Sequence, residues 1–377
     1  MSRQEPGVQF QEDPLRFIEQ SLPAGGNSLW LPGRRLCVAE PAAAKAALSN
    51  AEGLYEEHAD FFQTEEGMFG PRSAQLEISR EARTLLKTYL AARAGELPDV
   101  LRQTLVPTSE WPDAGNRLMH RYLADALVSP DSPDSLRKIV GVVVERAVLA
   151  GARERAFRLS RALLRFRVRR ELTRAIAARR AQRRDTSADL LDVVVRASGA
   201  DVPAALVAEV FLSCVFAVAG SVGFVLGWSL YLWGTHPSPD ALPSWVVRES
   251  LRLWPVAWLL SVRPRKAHEV AGVAVTPEDK VLACPYLVHR HPGHWPDPES
   301  FRPERWADLK SPPAFIPFGW GPHTCPAALL SMGLVEDVLR ILSEGYQWTV
   351  TAHGTRPFVG SALAPPRFTL SARPRTL

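Results

Sequence analysis

"FIPFGWGPHTCPAALL", residues 315–330, sets a cysteine between a glycine-bearing loop and an apolar run. Gly319 and Gly321 permit a tight turn that can approach a flat ligand closely. Pro326 suits the first helical position, where an amide hydrogen would have no partner, and the apolar residues through Val338 continue a helix. A thiolate at a helix N-terminus is favoured by the dipole and the neighbouring amides. An inert buried cysteine needs neither the glycines nor the adjacent His323. A zinc site needs about four ligands, and no second cysteine lies near in sequence.

The rest of the chain bounds what this loop can serve. There are 377 residues, 46% of them hydrophobic, enough for two average domains or one large helical one. Cys37, Cys214, Cys284 and Cys325 are widely spaced, so a disulfide framework is not expected and a reducing cytoplasm fits better. The charged start "MSRQEPGVQFQEDPLRF" has no apolar signal region. Residues 210–234, "VFLSCVFAVAGSVGFVLGWSLYLWG", are uncharged and long enough to cross a bilayer. Gly220, Gly223 and Gly227, with no flanking basic cluster, favour a central helix buried on all sides, so no membrane span is expected. The net charge is +5, with much of the excess in residues 153–184, "RERAFRLSRALLRFRVRRELTRAIAARRAQRR". Phe157, Leu163, Leu164, Val168 and Leu172 recur there at helical spacing, predicting one long amphipathic helix with a solvated basic face. No stacking platform or reading motif supports nucleic-acid binding.

Along the chain, "SLWLPGRRLCVAE" reads as a β-hairpin around a Pro-Gly turn, and "PAAAKAALS" as a helix with proline in its first turn. Residues from about 79 to 196 are almost all helical in pattern. "SWVVRESLRLW" is helical, "HEVAGVAVTPEDKVLACPYLV" is short strands around turns, and "YQWTVT" through "PPRFTLSARP" is strand-like. The expectation is a single mainly α domain over 1–377, with β-rich parts at about 27–40, 268–290 and 346–377 and a helical core at about 79–345.

Glu249 and Arg252 in "RESLRLWP" are three apart and share a helix face. Their surroundings, Trp245, Val246, Leu251 and Trp254, favour a buried pair, which needs further hydrogen bonds; Arg305 in "FRPERW" could supply them through its planar fork.

At this point the chain resembles the cytochrome P-450 superfamily. Phe318, Gly321 and Cys325 match its heme loop, Glu249 and Arg252 its Glu-x-x-Arg pair, and "FRPERW" its Pro-Glu-Arg-Phe segment, in the same order. The resemblance implies the helical P-450 fold, with Cys325 as axial thiolate of heme b (iron protoporphyrin IX). Such a thiolate pushes electron density onto iron and favours O–O cleavage. It implies heme-propionate contacts from His323 and Arg263, a structural triad of Glu249, Arg252 and Arg305, and Ala327 where the family usually has glycine. The histidines of "HRHPGHW" then fall in a meander rather than a metal site. Residues 210–234 become the helix that crosses over the heme.

That helix departs from the family's Ala-Gly-x-(Asp/Glu)-Thr, whose acid and alcohol deliver protons. A register without gaps places Ser221 at the threonine and Gly220 at the acid; the alternative places Gly223 at the threonine and Val222 at the acid. Both lack the carboxylate, and the first keeps an alcohol. Only "SPDALPSWVVR" separates His236-Pro237 from Glu249, where the family has one or two more helices. Around residues 65–83 the propionate-binding arginine could be Arg72, Arg80 or Arg83.

The resemblance implies a monooxygenase acting on a hydrophobic small molecule, with ferredoxin and its reductase as candidate electron donors. The missing acid leaves open peroxide-driven or redox-neutral chemistry, and a degenerate binding protein is the non-enzymatic alternative. By resemblance the substrate pocket includes Ala217, Phe224, Val256, Ala257 and Trp258, with Phe61 and Phe62 as further candidates. The Ala-, Arg- and Pro-rich composition points to a high-GC bacterium and specialised metabolism.

Overall fold

The computed structural model describes residues 6–23, 25–56, 60–148, 158–182 and 186–375. Helices dominate, and the strands form small separate sheets. The chain divides into two compact units: residues 1–60, 236–325 and 359–364, and residues 61–235, 326–358 and 365–377.

The first unit is built on a four-stranded sheet. Its predicted hairpin pairs Ser28–Leu31 with Arg35–Val38, antiparallel. Gly33 and Arg34 take positive φ at the turn. Arg35–Val38 then runs parallel to Lys280–Ala283, which pairs with Leu260–Val262. That last strand falls where a helical core was expected; its three residues are too few for a period to show. The helix Pro41–Ser49 has the expected proline start, and Glu40 caps it by accepting from the amides of Ala42 and Ala43. The helix Pro243–Leu253 carries Glu249 and Arg252. Trp295, Trp306, Ala314 and Ile316 close one apolar core, while Leu29, Leu31, Trp258 and Leu363 close another.

The second unit is a helix bundle with helices Arg72–Arg93, Leu97–Leu105, Asp113–Leu127, Asp134–Val143, Arg158–Gln182 and Leu190–Ala197. A continuous helix, Ala204–Thr235, is long and apolar enough by length and composition to cross a membrane; 72% of its most apolar window is buried inside the protein. The helix Ala328–Gly345 follows the cysteine loop.

Three expectations change here. A strand, Thr108–Trp111, interrupts the region read as helical and pairs with the C-terminal strand Phe368–Pro374, which also pairs with Tyr346–Ala352. The basic helix buries Val168, Leu172 and Ile176, but Leu163 and Phe166 are exposed, so its apolar stripe is narrower than read; Phe157 lies outside the described residues. The helix after the loop starts at Ala328, with Ala327 as its N-cap residue, so Pro326 and Cys325 precede it.

Candidate functional site

The site grows from the helix Pro243–Leu253. Glu249 and Arg252 have fully buried side chains. Arg252 donates to both carboxylate oxygens, Nη2 to Oε1 at 2.8 Å and Nε to Oε2 at 3.0 Å. A buried ion pair persists only where its remaining donors and acceptors are satisfied. Here they are. Arg252 also donates to the carbonyls of His289, Pro298 and Ser300. Glu249 also accepts from Arg305 Nε (3.0 Å), the Arg302 amide (3.0 Å) and Trp306 Nε1 (2.9 Å). Arg305 reaches on to the Pro296 carbonyl. Burial holds the Arg252 guanidinium below its usual pKa, opposed by Glu249. The three charged residues read from sequence are therefore joined in one cluster.

A residue the sequence reading assigned only to a meander ties this cluster to the cysteine loop. His289 is fully buried. Its Nδ1 lies 3.1 Å from the Arg252 carbonyl, and its Nε2 accepts from the Ile316 amide at 2.8 Å. A carbonyl can only accept, so Nδ1 carries the proton. Burial pushes the His289 pKa down to about 3. With both nitrogens engaged, His289 is not a metal ligand, and no group of three or more His, Cys, Asp or Glu residues could hold an ion among the described residues.

Beyond Ile316 the loop is shaped by its own backbone. Gly319 donates to the Ile316 carbonyl at 3.2 Å, and Cys325 donates to the Phe318 carbonyl at 3.0 Å. Gly319 and Gly321 both take positive φ. A Cβ on Gly321 would sit 2.8 Å from Ser49 Cα, so the loop packs directly on the helix Pro41–Ser49. Lys45 of that helix stacks its ammonium 3.8 Å from the Trp320 ring centroid. Phe318 is half-buried. Cys325 is exposed, whereas Cys37, Cys214 and Cys284 are buried. The side chain of His323 lies outside the described residues. Arg263, after the strand Leu260–Val262, is 52% exposed, with Nε 3.9 Å from Glu56. Trp258 is packed into its core and donates to the Gly360 carbonyl at 2.9 Å; Val256 is buried and Ala257 half-buried.

In the second unit, one face of the helix Arg72–Arg93 forms a cavity of about 770 Å³ lined by Leu76, Arg80, Arg83, Lys87 and Pro326, among others. Pro326 follows Cys325 in the chain. Of the arginines left open by sequence, Arg80 and Arg83 line this cavity; Arg72 does not, and donates to Gln75 instead. Phe61 and Phe62 meet edge-on, with ring centroids 4.9 Å apart.

The central helix has two unlike faces. Gly223 and Gly227 lie against the segment Trp111–Asn116: a Cβ on Gly223 would meet Asn116 Oδ1 at 2.7 Å, and one on Gly227 would meet the Trp111 ring at 3.3 Å. Gly220, three residues before Gly223, is also buried, as is Phe224. Ala217 and Ser221 are half-buried. Ser221 precedes Gly223 by two residues, about 200° around a helix. The register that puts Gly223 at the alcohol position would thus point that alcohol into the packed helix pair. Residues 216–221 form a π-helical turn.

The donor set fits a heme. Cys325 offers an exposed sulfur, the kind of donor that holds heme iron as a thiolate. In the second unit, taken by itself, Leu76 and Leu329 are large apolar side chains left 52% and 78% exposed, and the cations lining its cavity suit an anionic group.

Residues 242–356 match the cytochrome P450 family model. The chain is 32% identical over 134 residues to a cyclooctatin synthase from Streptomyces melanosporofaciens, covering 34% of this chain and 28% of that protein. It is 35% identical over 130 residues to cytochrome P450 3A30 of Fundulus heteroclitus, covering 32% and 26%. A lithocholate 6-beta-hydroxylase of Mesocricetus auratus is 41% identical over 103 residues, covering 25% and 20%. The matched segment thus spans about a quarter of these relatives' lengths. Three motifs in order, a satisfied Glu249–Arg252–Arg305 cluster, a glycine-shaped cysteine loop and these matches make residues 242–356 similar to the cytochrome P450 superfamily, within a mainly α fold.

Proposed function

We propose that the protein is a heme-thiolate oxidative enzyme, a monooxygenase that inserts oxygen into a hydrophobic small molecule. The observation that carries this reading is Cys325, exposed on a loop whose base is fixed by His289 to the buried ion cluster. When bound, heme supplies the redox-active iron for dioxygen chemistry. Cys325 would hold the iron as thiolate, with Phe318, Gly321 and Ala327 shaping its loop. The cavity cations Arg80 and Arg83 support a carboxylate-binding role, alongside Arg263 and His323 from the family pattern. Ser221 would hold a water or hand on a proton from the half-buried helix face, beside Gly220 at the acid position. Ala217, Phe224, Val256, Ala257 and Trp258 are the pocket residues of this reading; because Trp258 is packed and hydrogen-bonded to Gly360, it would act by shape.

The composition, and a relative whose name makes it a cyclooctatin synthase of a Streptomyces, support a place in bacterial specialised metabolism. Three buried free cysteines support a reducing cytoplasm. The family pattern supports a ferredoxin and its reductase as electron donors, and heme b as the form bound.

The test is turnover with reductant under labelled dioxygen: labelled product is expected. Unlabelled product formed anaerobically without reductant would favour a redox-neutral reaction, the second reading, which rests on the absence of a carboxylate at Gly220. Turnover with peroxide alone would favour its peroxide-driven branch.

A further inference from the structure

The packed face of the central helix lies against a buried polar group that belongs to no sequence motif. Asn116, on the helix Asp113–Leu127, is fully buried. Neither its amide nitrogen nor its oxygen has a hydrogen-bond partner among the described residues. Such a carboxamide in an apolar interior is costly unless water satisfies it. Its oxygen faces the Gly223 backbone, 2.7 Å from where a Cβ would stand. The same stretch contains the π-helical turn Phe216–Ser221, which shifts backbone hydrogen bonds and lets a water insert.

His120 is four residues on from Asn116 and so on the same face. It is half-buried, and its Cε1 lies 3.3 Å from where a Cβ on Gly141 would stand. Burial lowers the His120 pKa, with Glu145 opposing and Arg137 adding to the shift. Glu145 is exposed, in a second π-helical turn, Val144–Val148, which packs against the helix of Asn116 and against the first π turn.

We propose that Asn116 holds a buried water beside the π-helical turn Phe216–Ser221 of the central helix, and that this water, continued outward past His120 to Glu145, supplies protons to a helix that lacks its own acid. Asn116 is a positioning residue: water moves the proton, and the carboxamide holds the water with its donor and its acceptor. The proton-supply role rests on the oxygenase reading above; the water site does not.

The test uses the heme-loaded protein and three variants: Asn116→Leu, Asn116→Asp and Asn116→Leu combined with Gly220→Asp. A high-resolution crystal structure of the wild type is expected to show an ordered water bonded to Asn116, absent in Asn116→Leu. Under dioxygen and reductant, Asn116→Leu is expected to turn over about a hundredfold more slowly, with unchanged heme content. Asn116→Asp should retain activity, and Gly220→Asp should restore it in the leucine background by putting an acid on the helix itself. No water at Asn116 in the wild type, or unchanged turnover in Asn116→Leu, overturns the proposal. If Asn116→Leu does not fold, Asn116→Asp and the wild-type water decide. A wild type that consumes no reductant fails the oxygenase reading and the proton-supply role with it, while the crystallographic water still decides the site.

Discussion

The base of the cysteine loop and the packed face of the central helix solve the same problem, polar groups in an apolar interior, in opposite ways. At the base of the loop the charged groups and the His289 ring are matched among the described residues. Glu249 receives five donors from four residues, and His289 uses both ring nitrogens. Against the central helix, Asn116 of the helix Asp113–Leu127 has no side-chain partner among the described residues, and contact is made through glycine backbone. Matched charge makes a rigid base on which a ligand can be positioned; an unmatched amide beside a π turn makes a place where water can sit. The first is a device for holding, and the second a device for moving protons.

The largest effect should come from breaking the matched side. Arg252→Met leaves the Glu249 carboxylate buried without its main partner and should destabilise the fold by about 3–5 kcal/mol, read from the urea unfolding midpoint. A loss well under 1 kcal/mol would mean that the cluster is not the rigid base described. Next, Gly223→Val places side-chain atoms where Asn116 and its backbone already stand, at a cost of about 1–3 kcal/mol. An unchanged midpoint would show that the two helices part more easily than their contact implies.

His289→Leu should cost about 1–3 kcal/mol by orphaning the Ile316 amide. It should also change the acid response. The folded pKa of about 3 lies below the unfolded value near 6.5. As pH falls, the unfolded chain therefore takes up the proton first. The stability is full above about pH 6.5 and is lost toward pH 3, by on the order of 1 kcal/mol per pH unit. The leucine variant should lack that component; an identical pH slope in variant and wild type would contradict the assignment. The smallest effect on folding belongs to Ser221→Ala on the half-buried face, within about 0.5 kcal/mol. Its effect should fall instead on the fraction of reductant recovered as product, and equal recovery in wild type and variant would remove Ser221 from the proton path.

The matched side was legible because its parts are local and chemically loud. Glu249 and Arg252 sit one helical turn apart, and Gly319, Gly321 and Cys325 lie within seven residues. The hairpin and the helix Pro41–Ser49 were legible for the same reason, through a Pro-Gly turn and an N-terminal proline. What escaped depends on partners far along the chain. The strand Thr108–Trp111 exists because Phe368–Ser371 pairs with it. His289 reads as one histidine of three until its ring is seen between Arg252 and Ile316. Asn116 lies more than a hundred residues before Gly223, in a helix whose sequence offers no chemical motif. The helix after the loop starts at Ala328 rather than at Pro326, since a proline preference fixes a start only to within a turn.

The central claim is that Cys325 ligates heme iron as a thiolate, and the carbon monoxide difference spectrum of the reduced protein tests it most directly. A strongly red-shifted Soret band in the wild type, lost in Cys325→Ala protein that remains folded, is the predicted result. A band at the position typical of a neutral proximal ligand, or no heme band at all in folded protein, would contradict the account.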